Sequence, residues 1–69
     1  MTLIMAEEGK KNIIKKITGR DNVRNFLGKL GFVEGESVTV VSKLSGNMII
    51  NIKDSRIAID KSMANRILI

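Results

Sequence analysis

A mostly β fold, partly closed into a small barrel beside one short helix, is what these 69 residues predict, on three observations. Several short β-branched runs alternate apolar and polar residues, the period of a half-buried strand. One stretch switches instead to the period of an amphipathic helix. Glycine, Asx and serine residues mark the boundaries between these runs, and proline is absent.

The first run, Asn12 to Thr18, is β-branched and bounded by Gly9 and Gly19, and it reads as a strand. From Asp21 the period changes. Val23, Phe26, Leu27 and Leu30 fall at i, i+3, i+4 and i+7, one stripe of a helix whose wet side carries Asn22, Arg24, Asn25 and Lys29. Asp21 is the N-cap, because its carboxylate can accept from the free N–H groups of the first turn. Gly28 weakens a helix interior, so it is expected to admit a close neighbour. Gly31 follows the last stripe residue, where a helix commonly ends in a left-handed conformation that glycine adopts without strain. Phe32 should then fold back toward Leu27. A turn around Gly35 leads to Val38 and the second strand.

The remaining runs are strands. Val38, Val40 and Leu44 share one face; Met48, Ile50 and Ile52 share another; Ile57 and Ile59 a third. A three-residue loop, Ser45-Gly46-Asn47, pairs Leu44 with Met48 and Val40 with Ile52. A two-residue turn at Asp54-Ser55 pairs Ile52 with Ile57 and Ile50 with Ile59, so both hairpins agree on one buried face. A helical turn over "KSMAN" and a last strand "RILI" close the chain. The prediction is thus a single domain over residues 1–69. It is an SH3-like β-barrel, with one helix between the first and second strands and a helical turn before the last. Closure removes exposed strand edges, which suits so small a sheet.

Composition narrows the function. The chain has no cysteine and no histidine, which excludes disulfides, thiol nucleophiles, imidazole bases and the usual zinc ligand sets. A domain this small buries only ~60% of its unfolded surface. Association with itself or with a partner is one further source of stability. Carboxylates, lysines and hydroxyls are a poor catalytic kit, so no enzyme is expected. The N-terminus has no signal-peptide pattern and no apolar run reaches the ~18 residues of a membrane span, so a cytoplasmic protein is expected.

The net charge of +5 is concentrated between Lys10 and Arg24. Lys10, Lys11, Lys15, Lys16, Arg20 and Arg24 stand there against Asp21 alone. Such a patch attracts phosphate or an acidic partner, or simply forms a solvated face. Gly28, Gly31 and Gly35 do not make a phosphate loop. They lie after a helix and before a strand, whereas phosphate-binding glycines lie between a strand and a following helix.

In its "FLGKLGFVEGESVTVV" stretch the chain resembles the FeoA family of ferrous iron transport accessory proteins. Leu27, Leu30, Gly31, Phe32, Gly35, Val38 and Val40 fill the family's pattern of spaced leucines, glycine, a large apolar residue, a second glycine and V-x-V. "RIAIDKSMANRILI" resembles the family's ending through Ile57, Ile59, Ala64, Ile67 and Ile69, and Gly9, Ile14, Ile17 and Gly19 fit its opening. Glu34 departs from the proline often found before the second glycine. The resemblance implies a cytosolic SH3-like domain that works with FeoB, a membrane permease carrying a G-protein domain. At family level it also implies a link to transition metal ions.

No residue set suggests a metal site or a cofactor. Glu7-Glu8 and Glu34/Glu36 read as surface charge, and Met48 and Met63 as core filler. Partner binding has more support. Parity turns Val41, Ile49 and Ala58 to the outside, and exposed apolar groups of this kind can mark a contact. Lys15 and Lys16 would add basic charge. The alternative is a basic nucleic-acid-binding barrel, opposed by the lack of aromatic stacking platforms, so no specific nucleic-acid partner is expected. A repressor's accessory barrel would require a helix-turn-helix that the chain lacks.

Overall fold

The first predicted strand is in fact two strands that belong to two different sheets. The structure, a computed structural model, describes residues 1–19 and 21–69. β1 (Lys11–Ile13) pairs with β3 (Ser37–Leu44), while β2 (Lys16–Ile17) pairs with β6 (Ile67–Leu68). The chain crosses between the sheets at Ile14 and Lys15. There Ile14 exchanges backbone hydrogen bonds with Glu36 and Gly35, and the Lys15 N–H donates to Leu68 C=O at 2.7 Å. With β4 (Asn47–Ile52) and β5 (Ser55–Asp60), the result is a four-stranded antiparallel sheet in the order β1-β3-β4-β5 and a two-stranded one, β2-β6. The expected, partly closed barrel is therefore corrected to two sheets over one core, with the chain crossing between them at Ile14 and Lys15.

α1 (Asn22–Lys29) begins and ends by local rules. Asp21 Oδ1 accepts from the Val23 N–H at 3.2 Å, which caps the first turn. Gly31 has φ +104°, and the Phe32 N–H reaches back to Leu27 C=O at 3.0 Å while the Gly31 N–H donates to Gly28 C=O at 3.0 Å. This pair of bonds is a Schellman cap, and it brings Phe32 and Leu27 into the core as expected. The helix touches that core through Val23, Leu27 and Leu30. Phe26 lies at the margin of the stripe and is 48% exposed.

The β3–β4 hairpin (β4, Asn47–Ile52) contains two one-residue departures from the expected register, which add to a slip of two and so invert the facing only between them. The loop is Ser45-Gly46, one residue shorter than expected, so Leu44 pairs with Asn47 rather than Met48. A bulge between Val40 and Ser42 then restores the phase, and Val40 pairs with Ile50 rather than Ile52. Between loop and bulge the alternation is inverted. Leu44 consequently faces solvent at 54% exposure, while Val38 and Val40 are buried.

β5 (Ser55–Asp60) is slipped by two residues from the expected register. The turn is Lys53-Asp54, with φ of 48° and 63°, and Ile50 pairs with Ile57 and Met48 with Ile59. A slip of two leaves every side chain on its predicted face. Asp60 Oδ1 caps α2 (Lys61–Ala64) by accepting from Met63 N–H at 2.8 Å. The core also takes Leu3 and Ala6 from the N-terminal segment, whose 3-10 turn spans Leu3–Met5.

Candidate functional site

Two surfaces combine exposed apolar atoms with polar or charged neighbours. The first is the outer face of β4 and β5. Ile49 and Ala58 are directly opposed there; Ile49 is half-buried and Ala58 exposed. Ser42 pairs with Ile49 on its other side. The parity argument for Ile49 and Ala58 therefore rests on observed pairing. Val41 is the unpaired residue of the bulge and is half-buried, so strand parity does not assign it to this face. Lys15 and Lys16 are exposed, but they flank and begin β2, in the other sheet.

The second surface is a groove beside α1, lined by Ile17, Arg24, Gly28, Lys29, Phe32 and Val33, among others. Val33 is 41% exposed. Beyond its chain neighbours and the backbone of its own helix, no described atom lies within 4 Å of the point where a Cβ on Gly28 would sit. The close neighbour expected at Gly28 is thus absent among the described residues, and the helix backbone there opens onto the groove. Arg24 is shared with an adjoining recess formed with Lys16, Ile17, Thr18 and Gly19. The sequence reading missed this surface, because it takes Gly28 as a point of close packing and Val33 as part of a turn.

Arg66 Nη1 donates to Asp21 Oδ1 at 2.6 Å, tying the start of α1 to the residue before β6. That bond is the main cause holding the Asp21 carboxyl below the ordinary aspartate range, with the Arg66 charge and the Arg24 and Val23 N–H groups adding to it. Arg20, one of the six bases of the charged segment, lies outside the described residues. Among the described residues no group of three or more Asp or Glu side chains could hold a metal ion. No helix there is long and apolar enough to cross a membrane.

A sequence model of the FeoA domain matches residues 1–69. The chain belongs to the FeoA family. A Methanocaldococcus jannaschii protein, named provisionally as Fe(2+) transport protein A, is 33% identical over 67 residues, covering 97% of this chain and 82% of the relative. A crystal structure of an iron uptake regulatory protein, FeoA, superposes with a TM-score of 0.86 at 32% identity, over 96% of this chain and 88% of that one. The zinc-complexed FeoA of Stenotrophomonas maltophilia superposes with a TM-score of 0.88 at 26% identity, over 99% and 87%. That protein is described as an SH3 domain protein, and activation of ferrous iron transport is suggested for it. A manganese-dependent transcriptional repressor shares the fold over 39% of its own length, at 14% identity and a TM-score of 0.88. The FeoA resemblance read from Leu27 to Val40 and from Arg56 to Ile69 is accordingly upheld, and the SH3-like likeness with it.

Proposed function

We propose that this FeoA-family chain is a non-catalytic, cytoplasmic accessory protein that binds the cytosolic side of a FeoB-like ferrous iron permease. The observation that carries this reading is the family match across all 69 residues. A constellation of nucleophile, base and oxyanion donors is what catalysis would require, and neither surface supplies one. Contact would be made through Ile49 and Ala58 with Val41 beside them, while Lys15 and Lys16 attract an acidic partner at longer range. The groove beside α1 is the competing contact surface. Its Val33 is an exposed apolar group, and Arg24 and Lys29 line it as well.

The deciding experiment is a pull-down with the cytosolic domain of a FeoB permease, using the parent, Ile49→Glu and Val33→Glu. Binding lost only in Ile49→Glu assigns the sheet face, and binding lost only in Val33→Glu assigns the groove. Absence of binding by the folded parent sinks the proposal. The second reading, nucleic-acid binding, is favoured by the bases between Lys10 and Arg24. Its contact would fall steeply with salt, because released counterions carry such affinity. Tight DNA or RNA binding near physiological salt, lost on replacing Lys15 and Lys16 by Glu, would establish it instead.

A further inference from the structure

β5 is the terminal strand of its sheet and, among the described residues, pairs only with β4. The turn before it decides which of its backbone groups are occupied. With φ positive at both Lys53 and Asp54, the flanking pair Ile52 and Ser55 is the narrow, doubly hydrogen-bonded kind. Bonded pairs then recur at alternate residues, Ile50 with Ile57 and Met48 with Ile59. The N–H and C=O groups of Arg56 and Ala58 consequently point away from β4. Among the described residues no backbone hydrogen bond closes that side of either one. Arg56, Ala58 and Asp60 are all exposed.

An uncovered edge is a template for another strand, and proteins usually blunt it by shortness, lysine, proline or a bulge. The opposite edge is blunted in this way, since β1 has three residues, includes Lys11 and follows Lys10. β5 has six residues in unbroken register, with no proline and no lysine.

The charges on β5 select its partner. A two-fold antiparallel pairing must set outward-directed residues opposite one another. Centred on Arg56 or on Asp60, it would oppose like charges. Centred on Ile57 or Ile59, it would set one of the two charged residues opposite alanine. Centred on Ala58, it places Arg56 opposite Asp60 of the second copy, twice, and Ile57 opposite Ile59. Alanine at the axis keeps the two backbones free of bulk. We propose that this protein forms a two-fold dimer by antiparallel pairing of β5 across Ala58, making one continuous eight-stranded sheet from two four-stranded ones. This assembly does not depend on the transporter reading. It would bring the Ile49–Ala58 faces of two copies side by side.

Because one strand edge is a small interface, the dimer is expected to be weak and populated only at high protein concentration. The test is sedimentation equilibrium together with amide hydrogen exchange by NMR, from micromolar to millimolar protein. The mass should rise toward twice that of the chain. Exchange at Arg56 and Ala58 should slow in proportion to the dimeric fraction, while Ile57 and Ile59, already bonded to β4, change little. Arg56→Glu opposes two acids and should abolish the dimer. Ala58→Pro removes only an edge-facing N–H and should do the same without loss of the β4 ladder; if it misfolds, Arg56→Glu carries the test alone. A chain that stays monomeric at millimolar concentration overturns the proposal, as does a dimer unaffected by Arg56→Glu. Protection of Arg56 and Ala58 only on adding a transporter domain would overturn it too, by showing a heterologous strand at this edge.

Discussion

Arg66 and Asp21, 45 positions apart in the chain, share a 2.6 Å hydrogen bond that joins the N-cap of α1 to the approach to β6. The same Asp21 oxygen caps the helix through the Val23 N–H. One carboxylate thus serves a local and a long-range contact, and both strengthen its charged form.

That coupling predicts a pH dependence. A carboxyl whose pKa is lower in the folded state contributes stability that is complete above its unfolded value. The contribution fades as pH falls from about 3.9, the ordinary aspartate value, and is lost below the folded value. Asp21→Asn keeps a capping side chain but removes the charge. Thermal melts should show the parent above Asp21→Asn at neutral pH, with the gap closing in acid. A gap that persists unchanged in strong acid would assign the difference to something other than ionisation.

The two glycines of the helix end should respond in opposite directions. Gly31 is buried at φ +104°, and a Cβ there would meet Lys53 Cδ at 3.3 Å. Gly31→Val is expected to cost roughly 1–3 kcal/mol through backbone strain and crowding. Gly28 lies inside α1 with open space above it. Gly28→Ala should therefore stabilise by about 0.5–1 kcal/mol from helix propensity. Denaturant unfolding of both variants measures the contrast.

Adjacent isoleucines on β4 should behave as different residues. Ile50 is fully buried, so Ile50→Glu would strand an unpaired charge in the core and should unfold the domain. Ile49 is half-buried on the outer face. Complete burial of an isoleucine contributes about 1.5–3 kcal/mol, so Ile49→Glu should cost about 1 kcal/mol and leave a cooperative melt. Circular dichroism during heating separates the two outcomes.

Chelation should leave stability unchanged. Structural metals contribute folding free energy when a preformed ligand set closes around them. No such set occurs among the described residues. The melting temperature in excess chelator is expected to equal that in buffer, and a fall would reveal a carboxylate or thioether site.

What was legible in the sequence was what short-range chemistry decides. The Asp21 cap, the left-handed Gly31 and the return of Phe32 to Leu27 depend on a few consecutive residues, and each is present. The inward faces of β4 and β5 were also legible, because alternation survives a slip of two. Tertiary contacts decided the remainder. The Ser45-Gly46 loop lies against α2, whose Lys61 N–H donates to Gly46 C=O at 3.3 Å, and no pattern within the hairpin announces that contact. Leu44 was misplaced by the resulting inversion of phase. Leu3 and Ala6 enter the core from a run too short to show a period. For the candidate surfaces, Ile49 and Ala58 followed from parity, but Lys15 and Lys16 went to a second sheet because the first strand bends at Ile14. The groove beside α1 was hidden, since Gly28 looks in sequence like a point of close packing and Val33 like part of a turn.

The bulge at Val41 gives β3 one residue more than its ladder with β4 requires. Removing Val41 would bring Val40 and Ser42 together while leaving their partners, Ile50 and Ile49, where they are. Chain length at this point is therefore decoupled from the buried pairs. FeoA relatives that differ by one residue here could share the same core and diverge only in the curvature of the sheet and the surface it presents.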